Sequence, residues 1–377
     1  MKIITVTVLA FFLFFSFQSN KEKIKRIGQP AISGKILKVI PHYINFSDTI
    51  SNDTLYAHLG ENDIPLKYSR KIICGVCIDG KCRLVNIEIF WNITGRYLGY
   101  ELPKGEFLSK TEHVKFNAVE YNSLHLLLAD PFSPLANYSL DELVPEMDSS
   151  INKVDAVSSA TIAAVLDYIV EDAVYTTYTL WHIVYGTTKR EIEKITSETI
   201  TSEIALKLLD SSKLEDQAWT LNHIAKRIEI SPDLQRKLLD FISGDDIYLA
   251  SRSLNALKPK ALTYEIQREL SNIFDNVSFL QKRLILQKLK EAPKLHPEIA
   301  THFSMKLRTL NSTLTKNLLE LFNVHNIKSD EVMVEVAKLL SNKNRFIAKQ
   351  AFLFLDEIEV LKKQTSRRIE KYKKENK

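Results

Sequence analysis

Four stretches in the second half of the chain begin alike: SPDLQRKLLDFI from Ser231, TYEIQRELSNIF from Thr263, HPEIATHFSMKL from His296 and SDEVMVEVAKLL from Ser329. Their starts lie 32, 33 and 33 residues apart. Each opens on a cap-type residue, His296 being the weakest. Two carry Pro at the first helical position, and all carry Asp or Glu at the second, where an acid complements the helix dipole. A partner helix precedes each: TLNHIAKRI, SLNALKP, LILQKLKEA and NLLELFNV. A helix pair repeated in phase cannot bury its apolar stripe alone, so it stacks on its neighbours. No other reading of this half satisfies all four copies.

The first half has a different pattern. Between residue 70 and about 130, short β-type runs alternate with turns. RLVNIEIFW alternates apolar and polar residues over Leu84–Phe90, and SLHLLLADPFSPL reads as a second strand ending in a proline-broken loop. Helical spacing takes over at Ile162, with 162, 165, 166, 169, 170 and 173 on one face. The ring-bearing residues Tyr175, Tyr178, Trp181, His182 and Tyr185 continue it, read as packing against the sheet or the first repeat, and Gly186 stops the helix. The expected fold is therefore an α+β domain over 21–186, followed by an all-α, HEAT-like helix-pair solenoid over 187–360 and a basic tail over 361–377. A solenoid's default role is to bind a partner. His223, His302 and His325 are scattered over the repeats and read as packing or surface residues rather than a metal set.

Charge excludes one class of partner. The last 17 residues hold eight Lys/Arg and two Glu, a surplus of +6 in a chain whose net charge is +5. The remainder is close to neutral, which does not suit a nucleic-acid binder, and the tail reads as a solvated helix end. At the other terminus, Lys2 precedes an apolar run from Ile3 to Phe17, the length of a signal-peptide core and short for a spanning helix. Residues 1–20 are thus a signal peptide or an N-terminal membrane tether, which gives an extracytoplasmic (periplasmic) location, secreted or tethered. No cysteine closes the run, so it is not a lipoprotein anchor.

The three cysteines, Cys74, Cys77 and Cys82, stand in IICGVCIDGKC. Asp79-Gly80 between β-prone runs signals a two-residue hairpin turn. That turn sets Cys77 opposite Cys82 in a non-hydrogen-bonded pair, with Cα atoms about 4.5 Å apart and able to bridge. Cys74 points to the other face. A c-type haem is excluded because Ile78, not His, follows the second cysteine. A cluster or structural zinc lacks its fourth thiolate. A structural Cys77–Cys82 disulfide and a redox-active C-x-x-C remain as alternatives.

The run VDAVSSATIAAVLDYIV, residues 154–170, opens a helix with four small residues after an acid. Ser158 is a plausible N-cap, and the open N–H groups of a first turn form an anion site. The same serine could equally do nothing but cap a core helix. Asp155-Ala156-Val157-Ser158-Ser159-Ala160-Thr161 resembles the flavinylation motif of FMN-binding domains. Such domains occur in the sodium-pumping quinone reductases, related electron-transport complexes and nitrous-oxide-reductase regulator proteins. The resemblance spans roughly residues 70–175 and includes the IDGKCRLVNIEIFW hairpin, with Ser159 where glycine is commoner. The family's Glu-Thr-Pro-Gly-type loop and glycine-rich opening strand have no counterpart, and NITGRYLGYELP stands in the loop's place.

By that resemblance Thr161 is the residue esterified to FMN phosphate by an exported, magnesium-dependent flavin transferase. Asp155, Ser158, Ser159 and Ala160 form the recognition turn, and Tyr97, Tyr100 and Phe132 are candidates for an aromatic shelf under the flavin. The implied protein is an exported flavoprotein, with covalent FMN as its cofactor, relaying electrons to or from a partner docked by the repeats. Its partners are then the transferase and a redox protein, one that could itself be membrane-bound. The rival from another class is a non-flavin scaffold whose solenoid does the work, and a third reading is thiol–disulfide exchange at the cysteines.

Overall fold

A computed structural model describes residues 23–46, 50, 52–76, 83–110, 113–143, 165–358 and 363–376. Six strands form one antiparallel sheet: β1 (Lys25–Ile27), β2 (Lys38–Tyr43), β3 (Thr54–Leu59), β4 (Pro65–Cys74), β5 (Val85–Asn92) and β6 (Tyr97–Glu101). Their order is β1-β6-β5-β4-β3-β2, a meander whose first strand returns to the far edge. Alternation sets the faces. Leu55 and Ala57 on β3, Tyr68, Arg70 and Ile72 on β4, and Ile87, Ile89 and Trp91 on β5 are all buried on one side. At the β2 edge, Ile44 N donates to Asp53 O, which continues the β2–β3 ladder and makes the even-numbered residues face β3. Pro41 then directs its missing N–H to the open edge, where no ladder bond is lost and strand addition is discouraged. Gly99 has φ of 152°, and a Cβ there would lie 1.9 Å from Arg26 O, so close pairing of β1 with β6 requires glycine.

Among the described residues, three α-helices join the sheet in this domain: α1 (Ala118–Leu128), the short α2 (Leu140–Leu143) and α3 (Val174–Tyr185). The stretch expected as a second strand, SLHLLLADPFSPL, is instead the body of α1 and the loop after it. Asn117 and Glu120 form a reciprocal capping box, and Tyr121, Leu124 and Leu128 recur at helical spacing on the buried side. The long helix expected from Ile162 to Tyr185 is also corrected. Within the described residues it is broken over 167–173, with Asp172 at φ of 58°. Val170 N donates to Thr177 Oγ1, and Ala173 N to Val170 O, so the break leaves these donors satisfied.

From Thr187 onward every α element belongs to the helical half: α4 (Thr187–Thr199), α5 (Ser202–Leu209), α6 (Leu214–Arg227), α7 (Pro232–Ser243), α8 (Ile247–Ala256), α9 (Tyr264–Asn276), α10 (Phe279–Leu289), α11 (Pro297–Lys306), α12 (Ser312–Val324), α13 (Asp330–Lys338), α14 (Arg345–Asp356) and α15 (Lys363–Glu375). They stack in two layers. Helices α5, α7, α9, α11, α13 and α15 form one, and α6, α8, α10, α12 and α14 the other, each helix packing on its neighbours in both. The four sequence copies are α7, α9, α11 and α13, and their partners are α6, α8, α10 and α12.

Capping differs from expectation. Ser231 does accept from Leu234 N, but Thr263, His296 and Ser329 make no side-chain cap bond. The caps that recur sit on the other layer, where Asp246, Ser278, Asn311 and Asn344 each accept from their helix's first turn at spacings of 32, 33 and 33. Buried glutamines stitch the pairs together. Gln281 donates to Ile242 O and Gly244 O, and Gln267 donates to Leu262 O and Lys294 O. The basic tail is no frayed end. Its described part is α15, which buries Thr365 and Ile369 against the preceding repeat and stacks Tyr372 on Phe352.

Candidate functional site

The residues expected to hold the cofactor, Asp155, Ser158, Ser159, Ala160 and Thr161, lie outside the described residues, as do Cys77 and Cys82. The described chain stops at Leu143 and resumes at Val165, and both residues are buried in the core of the α+β domain. Beyond Val165 the chain passes a charged cluster in which Lys110 Nζ lies 2.8 Å from Glu120 Oε1 and 4.0 Å from Asp172 Oδ2. The hydrogen bond between Lys110 and Glu120 raises the lysine's pKa and lowers the carboxylate's.

Of the three shelf candidates, Tyr97 and Tyr100 both meet the ring of His125, with centroids 5.6 and 6.3 Å from it. Tyr100 is a core residue whose hydroxyl donates to Tyr121 O, while Tyr121 in turn accepts from Leu108 N. Phe132 is 88% exposed, and Tyr97 also lines a cleft. The aromatic stripe of α3 packs neither on the sheet nor on the first repeat alone. Tyr178, Trp181 and Tyr185 donate to the carbonyls of Tyr138, Asp130 and Leu128, which locks α3 onto the end of α1 and the loop that follows. Cys74 ends β4 as a buried core residue, 9% exposed.

What the described residues do assemble is a junction. Asp216, in the first turn of α6, is fully buried and gathers donors from the β5–β6 turn. Its Oδ1 accepts from Asn92 Nδ2 at 2.7 Å and Thr94 Oγ1 at 2.6 Å, and its Oδ2 accepts from Arg96 at 2.8 Å and Ser211 Oγ at 2.9 Å. NITGRY is thus the hairpin that grips the solenoid. The sequence offered no local sign of it, because its partner stands more than a hundred residues away. Arg70 makes a second link, from the sheet core to Thr188 Oγ1 on α4 at 2.8 Å, with its guanidinium stacked 3.7 Å over Phe46.

Beside the junction opens a cleft of about 530 Å³ lined by Gly28–Ala31, Arg96, Tyr97, His125 and the Asp210–Lys213 loop. A smaller space of about 170 Å³ adjoins it, between Tyr97, Tyr185, Lys189 and Trp219. Tyr97 and His125 are hydrogen-bonded at 3.2 Å. Burial holds the tyrosine well above its ordinary pKa, and burial together with Arg26 holds the histidine below its own. The pair is therefore neutral near neutrality, suited to orienting a ligand rather than exchanging protons with it.

On the opposite sheet face, His58 Nε2 meets Ser69 Oγ at 2.8 Å, and Ser69 donates to Glu88 at 2.8 Å. With its proton on the glutamate, Ser69 accepts from the imidazole rather than being activated by it, the reverse of a hydrolytic triad. Burial, then Lys67, pushes His58 down to about 4. Among the described residues no group of three His, Cys, Asp or Glu side chains could hold a metal ion, and no helix is long and apolar enough to cross a membrane. Neither a family model nor a curated protein matches this sequence.

Proposed function

We propose that this chain is an exported flavoprotein carrying FMN covalently on Thr161, and that its solenoid docks it to a redox partner. The observation that carries the reading is the seven-residue run Asp155–Thr161, set inside an α+β domain and followed by helix-pair repeats. An exported flavin transferase attaches the cofactor, and Asp155, Ser158, Ser159 and Ala160 present the threonine to it. The flavin, when bound, supplies one- or two-electron chemistry, and the protein sets its access and surroundings. The antiparallel sheet and the Asp216 junction support a relay role, since they hold the domain against the repeats.

The apolar run near the N-terminus supports an extracytoplasmic place, secreted or tethered. An oxidising compartment suits the Cys77–Cys82 disulfide. The ladder from Lys67↔Asn92 to Cys74↔Val85 supports that pairing as well, because it keeps the register a two-residue turn at 79–80 demands.

The test is co-expression with an exported flavin transferase, followed by a visible spectrum and intact mass of the denatured protein. The reading expects yellow colour that survives denaturation and an added mass of FMN less water, about 438 Da for a phosphoester, both lost in Thr161→Ala. A colourless chain of unmodified mass, beside a control flavoprotein that is labelled, would favour the scaffold reading. In that case Ser158 would serve as a helix cap and the solenoid would carry the function.

A further inference from the structure

The two layers of the solenoid present unlike surfaces. Among the described residues of the helical half the exposed large apolar side chains, Met305 apart, all stand on the layer formed by α6, α8, α10, α12 and α14. They cluster where those helices begin. Leu214, Ile247, Leu280 and Phe346 fall on one 33-residue register, with Thr313 completing it on α12, and the four apolar members are 36–51% exposed. N-terminal turns in solvent need caps and small polar residues, not a recurring aliphatic or aromatic side chain, so packing does not account for the row.

One turn further along runs a second row, of cations, Arg283, Lys316 and Lys349, each three residues after the first row, while on α8 the cation is Arg252, five residues after Ile247. Arg252 sits 3.3 Å over the ring of Tyr248. By charge, α8, α10 and α14 carry +1, +3 and +1 and α12 is neutral, Lys288 of α10 being buried against Glu291, while on the other layer α9 and α13 carry −2 each and the terminal α15 carries +4.

We infer that this face, along α8 to α14, binds an extended acidic polypeptide segment bearing an apolar side chain at about every third residue. Charge complementarity sets the sign of the partner. Spacing sets its form, since packed helices lie roughly 8–10 Å apart and an extended polyproline-type chain advances about 9 Å in three residues. Arginine and aromatic residues are also the side chains that dominate protein interfaces. Single-stranded nucleic acid fits less well, because Glu320, paired with Lys290 and Lys316, stands within the cation row, and the rings of Tyr248, Phe279 and Phe346 alternate with the aliphatic Ile247, Leu280 and Leu353, on which no base stacks. A second copy of the chain fits less well too, since among the described residues the opposite layer has Met305 as its exposed large apolar residue. The inference deepens the docking half of the proposed function and is independent of its flavin half.

The experiment uses the full chain and a fluorescein-labelled peptide of repeated Asp-Glu-Leu, read by polarisation. A Lys-Ser-Leu peptide, an oligo-aspartate, a uridine oligomer and phosphatidylglycerol vesicles are the comparison probes. Two surface variants are made, Arg283→Glu/Lys316→Glu/Lys349→Glu and Ile247→Ser/Leu280→Ser/Phe346→Ser, with circular dichroism to confirm folding. Expected are preference for the acidic-apolar peptide, weakening with salt, and loss of roughly tenfold or more in each variant. Arg268→Glu on the opposite layer should leave binding unchanged. Thr161→Ala should bind equally, which separates failure of the flavin reading from failure of this one. Binding that ignores both variants, stronger retention of the oligonucleotide or the vesicles, or self-association abolished by the same variants would each overturn the inference.

Discussion

The α+β domain and the solenoid are built on opposite principles. The solenoid repeats one solution, in which each helix pair covers the next with aliphatic side chains and a buried glutamine crosses to the neighbouring pair. Its contacts are near in sequence, and no single residue decides it. The sheet domain is made of long-range pairings that occur once. Its hold on the solenoid is concentrated at one carboxylate, Asp216, and the donors Asn92, Thr94 and Arg96 around it, with Arg70 bonded to Thr188 as a second link. Repetition spreads stability over many positions, whereas a unique junction concentrates it.

The largest effect should therefore come from the junction. Asp216→Ala removes the acceptor of a buried charged network and leaves its donors unmatched, a loss of about 3–5 kcal/mol. Tryptophan fluorescence and far-UV circular dichroism in urea should then report separated transitions for sheet and solenoid. A single transition at an unchanged midpoint would show that the two halves are held by something else.

A smaller effect distinguishes the sheet by pH. With His58 at about 4 in the folded chain against 6.5 in the unfolded one, only the unfolded state gains a proton between those values. Stability from this site is present above pH 6.5 and is lost as pH falls toward 4. Allowing for the partial exposure of the ring, the loss is about 1–2 kcal/mol. His58→Gln should flatten the change in urea midpoint between pH 7.5 and 4.5, and an equal pH dependence in both proteins would remove His58 from the account.

The smallest effect sharpens the contrast within the solenoid. Asp246→Ala, Ser278→Ala or Asn311→Ala should each cost about 1 kcal/mol, while Ser329→Ala, whose hydroxyl caps nothing, should cost near zero. Equal costs on both layers would contradict the assignment of the caps.

How much of this was legible follows the same division. The repeat could be read because it restates itself four times, each copy checking the others. Its capping could not, because Ser231 and Thr263 look like caps in sequence whether or not their hydroxyls reach a backbone donor. In the sheet domain, β5 was legible from the alternation around Ile87 and Ile89. By contrast, SLHLLLADPFSPL was misread as a strand. Its run of leucines fits either period, and the deciding signal was the capping box at Asn117 and Glu120 upstream. The break before α3 hinges on Asp172 in a left-handed turn and on Thr177 reaching back to Val170, which periodicity does not register. The junction was invisible because Asn92 and Asp216 are joined only through the fold. The flavin motif was legible as a motif alone.

The most direct test of that motif is at the level of one peptide. Cleavage at lysine releases residues 154–189 as a single piece holding Ser158, Ser159 and Thr161. After co-expression with an active flavin transferase, fragmentation of this peptide should place the added FMN on Thr161 and leave both serines bare. An unmodified peptide, or one carrying the addition on a serine, would contradict the account.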